Sequence, residues 1–225
     1  MGTCPLINRR GPSSSGQNGL AVPTGVPIRD IRDQLFDAAE RVLRRDGPNA
    51  LTSRAVTSEA GVAKGILHRH FADFDTFLAS LVLARMELLD TRSQDLRASA
   101  GRGTVADNLA HALIAALNPD TLTIISLVTS RHELLTRLRL TTPTGIPLLA
   151  ETTRMIAAYL TAERGLGRIA FETEVDTLAV MLVGSAHLLA AERDDVPLDP
   201  DDLRDVLRTA IDSIIQDQPR RAALS

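Results

Sequence analysis

Hydroxyl and basic side chains concentrate in one stretch of this sequence, from Thr52 to Phe71, which reads TSRAVTSEAGVAKGILHRHF. Apolar residues with helical spacing lie on both sides of Gly61, and glycine readily adopts the left-handed conformation that ends a helix. Thr52 is suited to begin the first helix, because its hydroxyl can accept a hydrogen bond from an early backbone N–H. The stretch therefore predicts two short helices joined by a tight turn.

The second of these helices has one apolar and one cationic side. If Val62, Ile66 and Leu67 face the core, the opposite side is about the size of a major-groove contact. Its residues are Lys64, Gly65, His68, Arg69 and His70. This pattern predicts binding to double-stranded DNA, with a base edge approached closely at Gly65 and a guanine bound in a bidentate manner by Arg69. Phosphate contacts are expected from Thr52, Lys64 and His70, and base-edge contacts from Arg54, Gly65, His68 and Arg69.

The charge pattern limits this prediction to a local surface. The net charge is −3, so the overall field does not attract nucleic acid. Residues 51–71 contain three cationic side chains and only one carboxylate, that of Glu59. Lys64 is the only lysine among the chain's 25 basic residues. The alternative is that the arginines are solvated surface residues, that Thr52 is only a helix cap and that the position of the lysine is chance.

The segment AGVAKGILHRHF resembles the recognition helix of the TetR family of transcriptional repressors, whose members tend to read AGVSKGTLYHYF. The resemblance extends from about Ile28 to Leu83; beyond it only the helical layout is similar. It implies a helix-turn-helix head, a homodimer on a palindromic operator, and release by a small-molecule inducer. The role of repressor rather than activator rests on this resemblance alone.

Several positions depart from the family pattern. Ala63 replaces a serine that would cap the helix, Ile66 replaces a small polar residue, and His68 and His70 replace tyrosines. Phe74 stands where a phosphate-binding lysine is common. These departures bear on the DNA contacts and not on the fold.

Helical periodicity along the chain predicts an all-α protein. Residues 1–26 are rich in Gly, Pro and Ser and lack an apolar face, which predicts a disordered arm. Residues 27–72 form the predicted DNA-binding domain, and residues 73–225 a helical ligand-binding and dimerisation domain. In the rear domain, helices are expected at about 73–99, 104–117, 120–140, 147–164, 171–191 and 200–215.

The last two of these helices are the candidates for the dimer interface. One is apolar around much of its circumference, and the other has a single continuous apolar seam. The resemblance implies that this pair meets its copy in a four-helix interface; the alternative is that both helices complete the core of a monomer. The predicted interface residues are Leu178, Leu182, Gly184, Leu189, Leu203, Leu207, Ile211 and Ile214.

The resemblance also implies a ligand enclosed by the rear helices. An apolar cavity with few polar groups suits a small molecule, and the low aromatic content favours an aliphatic or mixed ligand over a flat cationic one. The candidate ligand residues are His111, Ser126, Thr129, Met155, Tyr159 and His187. Each has the alternative of being a hydrogen-bonded residue of the core.

No catalytic motif, metal site or cofactor is predicted. The sequence contains no P-loop, no G-x-S-x-G, no Rossmann glycine pattern and no H-E-x-x-H. Cys4 is the only cysteine and no apolar run reaches 18 residues, so a cytoplasmic protein that does not cross a membrane is expected. The alternative function is a helical small-molecule-binding dimer or carrier whose helix-turn-helix no longer binds DNA. An all-helical hydrolase is an alternative from a further class of protein.

Overall fold

The computed structural model describes residues 30–142, 145–192 and 198–215, and these residues form ten helices. The helices are α1 (Ile31–Asp46), α2 (Ser53–Glu59), α3 (Ile66–His70), α4 (Phe74–Ala98), α5 (Val105–Ala116), α6 (Pro119–Ser130), α7 (His132–Leu138), α8 (Pro147–Gly165), α9 (Val175–Ala191) and α10 (Pro200–Ile211). In this part of the chain the only β feature is an isolated bridge between Ile169 and Ile215. The predicted all-α fold is confirmed, whereas the arm predicted at residues 1–26 lies outside the described residues.

Helix ends coincide with the capping residues of the sequence. The Asp73 side chain accepts from the backbone N–H of Thr76 at 2.6 Å and begins α4. Thr104 Oγ1 accepts from the N–H of Asp107 at 3.0 Å and begins α5, while Asp199 caps α10 ahead of a proline at the first helical turn. Gly47, with φ of 77°, ends α1. Each cap satisfies backbone groups that a helix end leaves unpaired.

Among the rear helices, one predicted helix is divided in two and another begins later than expected. The helix expected at 120–140 is two helices, because α6 ends at Ser130 and α7 begins at His132, with Arg131 between them in an extended conformation (φ −120°, ψ 95°). No side chain caps the start of α7, so the sequence carries no N-cap signal for this break. The helix expected from residue 171 begins at Val175, and Phe171 lies in the preceding turn, 82% exposed.

One hydrophobic cluster extends from Leu35 in α1 to Ile211 in α10, so the front and rear helices share a continuous core. Helix α4 connects them: its first turns pack against α3, and further along it packs on α8, which in turn packs on α9. Helix α10 covers α5, and α6 packs on α1. The short helices α2 and α3 are therefore supported by α1, α4 and, through these, by the rear helices.

No single helix among those described is both long enough and apolar enough to span a bilayer. Helices α5 and α6 meet both criteria only when they are taken together, and they are bent by 59° at the break between them.

Candidate nucleic-acid interface

Helix α2 is fixed at both ends by the residues that the sequence indicated. Thr52 Oγ1 accepts from the N–H of Ala55 at 3.1 Å, and Gly61 has a φ of 67° in the turn after the helix. Val56 is fully buried and Thr57 nearly so, and the Thr57 hydroxyl donates to the carbonyl of Ser53 at 2.9 Å. The outer side of α2, with Thr52 and Arg54, is left exposed.

Helix α1 holds α2 through polar contacts. The Gln34 Nε2 donates to the carbonyl of Ala60 at 2.8 Å, at the C-terminal end of α2. Arg41 and Arg45 bind the two carboxylate oxygens of Glu59 at 2.8 and 2.9 Å. The guanidinium of Arg41, followed by that of Arg45, holds the pKa of Glu59 below its usual range. The only carboxylate between Thr52 and Phe71 is therefore neutralised by α1.

Helix α3 is shorter than predicted. It begins at Ile66, and residues 64 and 65 form a turn that the N–H of Ile66 closes by donating to the carbonyl of Ala63 at 2.9 Å. No side chain caps its first residue, because the N-cap position is Gly65, which has no side chain. The cap lost at Ala63 was predicted for a helix that began earlier. Leu67 is fully buried and anchors the helix. Lys64 and Gly65 consequently lie in the turn before α3 and not on the helix itself.

All seven predicted DNA-contacting residues lie on the exposed surface of this head. They are Thr52 and Arg54 at the start of α2, Lys64 and Gly65 in the turn, and His68, Arg69 and His70 on α3. Within the described ranges, no carboxylate lies within ion-pair distance of Arg54, Lys64 or Arg69, whereas Arg41 and Arg45 are both paired. Cations without a protein carboxylate remain available to phosphate groups. The individual contacts stay predictions.

Four of the chain's five phenylalanines pack together behind this surface. Phe71 meets Phe77 edge-on with ring centroids 5.1 Å apart, and Phe36 lies 5.6 Å from Phe77. Phe74 stacks on Phe77 at 5.6 Å, and the guanidinium of Arg131 lies 5.9 Å from the Phe74 centroid. Phe74, which stands where the family pattern has a lysine, is therefore an aromatic support between α4 and the rear helices.

The six predicted ligand residues are not brought together. His111 is exposed on α5, and Ser126 and Thr129 are exposed on α6. Met155 is buried on α8, and His187 is half-buried on α9, with its Nδ1 lacking a hydrogen-bond partner in the described structure. A cleft of about 180 Å³ between α1, α4 and α6 is lined by other residues, among them Arg85, Arg92 and Asn118. The ligand residues remain a prediction without a common cavity.

The hydroxyl of Tyr159, also predicted to contact ligand, is used within the chain. It donates to Oε1 of the fully buried Glu163 at 2.5 Å and accepts from Asn108 Nδ2 at 2.9 Å. Burial, followed by the bond to Glu163, raises the pKa of Tyr159 above its ordinary value. Arg168 Nη1 lies 3.1 Å from Glu163 Oε2, and the N–H of Gly101 donates to the same oxygen at 3.2 Å. This buried network joins α5 and α8 to the α4–α5 and α8–α9 connections.

The predicted interface residues lie largely inside the chain. Five are buried in the single chain: Leu178, Leu182, Leu203, Leu207 and Ile211. The apolar seam of α10 packs on α5 and α9, so its buried side chains have little exposed surface that could contact a second copy. The predicted interface residues Leu189 and Ile214 are half-buried. Gly184 is exposed. It lies on a stripe of α9 with Val180, Met181 and Leu188, which are 60%, 58% and 62% exposed and were not predicted.

Comparisons with known proteins agree with the geometry of the head. Residues 35–80 match the family model of bacterial regulatory proteins of the tetR family, which confirms the resemblance seen in the sequence. No curated protein sequence matches the chain.

Solved structures extend the likeness to most of the chain. A protein described as a TetR-family transcriptional regulator from Rhodococcus sp. is 19% identical with a TM-score of 0.60, over 82% of this chain and 98% of that one. A gamma-butyrolactone receptor (ArpA-like protein) is 20% identical with a TM-score of 0.60, over 82% and 87%. The multidrug-binding protein EbrR, complexed with imidazole, is 21% identical with a TM-score of 0.54, over 86% and 99%. At these identities the likeness establishes the fold.

Proposed function

We propose that this protein is a transcriptional repressor that binds a palindromic operator as a homodimer and is released by a small molecule. The proposal is supported by the match of residues 35–80 to the tetR family and by the TetR-like arrangement of the helices. We also propose the domain division made from the sequence, with the DNA-binding head at residues 27–72 and the sensing and dimerisation helices at residues 73–225. Binding to chromosomal DNA would take place in the cytoplasm.

One observation carries the DNA-binding proposal. Arg54, Lys64 and Arg69 are all exposed on the head, while the single carboxylate between Thr52 and Phe71 is paired with Arg41 and Arg45 of α1. Phosphate contacts fix a protein's register on the duplex, and contacts to base edges specify the sequence. In the proposed complex Thr52, Lys64 and His70 bind phosphates, and Arg54, Gly65, His68 and Arg69 face the base edges.

Two copies are required because one head offers few contacts. A helix-turn-helix of this size gains affinity and specificity by binding two half-sites through a two-fold dimer. The exposed apolar stripe of α9, formed by Val180, Met181, Gly184 and Leu188, is the surface that we propose to lie against a second copy. A glycine in the stripe allows close approach of two helices, and the buried residues of α10 support α9 from behind.

The small-molecule part of the proposal is supported by the nature of the similar structures. One is a gamma-butyrolactone receptor, and another is a multidrug-binding protein holding imidazole. For this chain we propose an aliphatic or mixed ligand among the rear helices. His111, Ser126, Thr129, Met155, Tyr159 and His187 remain the proposed set, although a shared cavity would require the exposed members to be enclosed by helix movement or by the second copy.

The test of DNA binding compares charge-removing variants on and off the proposed surface. Duplexes enriched by the wild-type protein from a random library serve as the probe in a gel-shift titration. Lys64→Ala and Arg69→Ala are each expected to weaken retention by about tenfold or more, since charged contacts of this kind contribute about 1–3 kcal/mol. Arg139→Ala, at an exposed position after α7, removes the same charge away from the head and is expected to have little effect. Equal retention by all four proteins would refute the proposal.

The alternative is a helical small-molecule-binding dimer or carrier whose head no longer binds DNA. It is favoured by the five-residue length of α3 and by the absence of a cap at its start. Failure of the wild-type protein to enrich any duplex, together with dimer formation in solution, would select this alternative.

A further inference from the structure

Arg131 contacts the head although it belongs to the rear helices. It is the single residue between α6 and α7, and its Nη2 donates to the carbonyls of Pro48 and Leu51 at 3.2 and 2.9 Å. Both carbonyls lie in the connection between α1 and α2, and Leu51 directly precedes Thr52, the cap of α2. The guanidinium therefore fixes the backbone where the helix-turn-helix begins.

The same guanidinium reaches the other end of the helix-turn-helix. Its central carbon lies 5.9 Å from the ring centroid of Phe74, the first residue of α4, which follows α3 after three residues. Phe74 is held in turn by its stacked contact with Phe77, which is fully buried. One side chain thus contacts the residue before the cap of α2 and the residue that begins the helix after α3.

We propose that Arg131 is a positioning residue for DNA binding: it fixes the orientation of α2 and α3 relative to the rear helices from both ends. This inference rests on the proposed DNA-binding function. An arginine suits this role because its planar group can donate to two carbonyls and at the same time present a face to an aromatic ring. In this proposal Arg131, which is half-buried, makes no DNA contact of its own.

Neighbouring contacts make this junction a connection between sensor and head. Arg137 of α7 donates to Thr76 Oγ1 at 2.7 Å and lies 3.6 Å from Asp73, both at the start of α4. Arg44 of α1 forms an ion pair with Asp120 at the start of α6. Because α6 and α7 are separate helices that meet at Arg131, a change in the angle between them displaces the guanidinium and with it the two carbonyls of the head.

The first test separates the Arg131 contacts from its charge. Arg131→Gln removes the charge, the guanidinium that donates to the two carbonyls and its contact with the Phe74 ring. Arg139→Gln removes the same charge from an exposed side chain that has no hydrogen bond or ion pair in the described residues. Duplex affinity is expected to fall by about tenfold in Arg131→Gln, in line with the removal of hydrogen bonds from a charged donor, and to change less than twofold in Arg139→Gln. Arg131→Lys retains the charge and is expected to recover only part of the affinity.

The salt dependence distinguishes a positioning residue from a phosphate-binding one. The slope of log K against log salt becomes shallower by about one for each phosphate that the protein no longer neutralises. Lys64→Ala is expected to make this slope shallower, and Arg131→Gln is expected to leave it unchanged while shifting the whole line to weaker binding. A slope that changes in Arg131→Gln as it does in Lys64→Ala would overturn the assignment.

Hydrogen exchange tests the inference without DNA. In free Arg131→Gln, amides in peptides covering residues 47–56 and 71–77 are expected to exchange faster than in wild type and Arg139→Gln, while α8 and α9 exchange at the wild-type rate. If the wild-type protein bound no duplex, the DNA proposal would fail while this comparison still decided the role of Arg131. Unchanged exchange at both ends of the head, or an equal acceleration in all helices, would overturn the inference.

Discussion

The buried pair between Glu163 and Arg168 is expected to contribute strongly to stability, and Arg168→Ala measures it. Glu163 is fully buried, and Arg168, whose side chain is 20% exposed, is the only cation paired with it in the described part of the chain. The arginine also donates to the carbonyl of Gly103 at 2.6 Å. Removing one partner of a buried pair costs about 3–5 kcal/mol. Because Arg168 is partly exposed, we expect the lower end, about 3 kcal/mol, which corresponds to a fall in Tm of about 6–12 °C for a chain of this size.

The assay is urea unfolding at neutral pH and at one fixed protein concentration for all variants. Arg154→Ala is the matched control, because its ion pair with Glu151 has a 65% exposed arginine and is expected to contribute at most about 1 kcal/mol. The double variant Glu163→Gln/Arg168→Ala contains no uncompensated charge and should be more stable than Arg168→Ala alone. A decrease in stability below about 1 kcal/mol in Arg168→Ala, or a double variant less stable than either single one, would refute this reasoning.

Three further predictions concern the assembly, acid stability and the head. Met181→Asp, on the exposed stripe of α9, is expected to give a monomer in sedimentation velocity, whereas Leu140→Asp, at an 85% exposed position elsewhere, remains a dimer; a dimeric Met181→Asp would contradict the proposed interface. The Thr104 hydroxyl, followed by Arg204, holds the pKa of Asp107 below its usual range. This carboxylate therefore stabilises the fold above about pH 4 and loses that effect at lower pH, so the urea midpoint should fall less on acidification in Asp107→Asn; an equal fall would count against it. Finally, His68 and His70 are exposed on α3 and are proposed to contact the duplex, so the double alanine variant should retain duplex DNA more weakly than the wild type in the gel-shift titration; equal retention would contradict these contacts.

The fold of the front part follows from local signals in the sequence. Thr52, Gly61 and Asp73 each determine a helix end through their own backbone or side-chain chemistry, and the structure places the ends there. The short α3 was not predicted, because the periodicity of Val62, Ile66 and Leu67 indicates a face and not the residue at which a helix begins. The residue before α3 in the structure is Gly65, which has no side chain that could mark the start of the helix.

The rear part depended on packing that no local signal encodes. The apolar seam of α10 indicates burial but not whether its own chain or a second copy covers it, and the structure packs it on α5 and α9. The apolar circumference of α9 likewise did not reveal that Val180, Met181 and Leu188 are the exposed members. Arg131 and Phe74 gained their roles from contacts between residues far apart in sequence, as did the network around Tyr159.

The most direct test of the central claim is the sequence of the duplexes that the wild-type protein selects from a random library. Two heads related by a two-fold axis predict an inverted repeat, with half-sites about one helical turn or a multiple of it apart. Enrichment of such a repeat, with weaker retention of the enriched duplex by Lys64→Ala and Arg69→Ala, is the expected result. Failure to enrich any sequence, or enrichment of a single unrepeated half-site, would contradict the account of a dimer that reads DNA with two cationic heads.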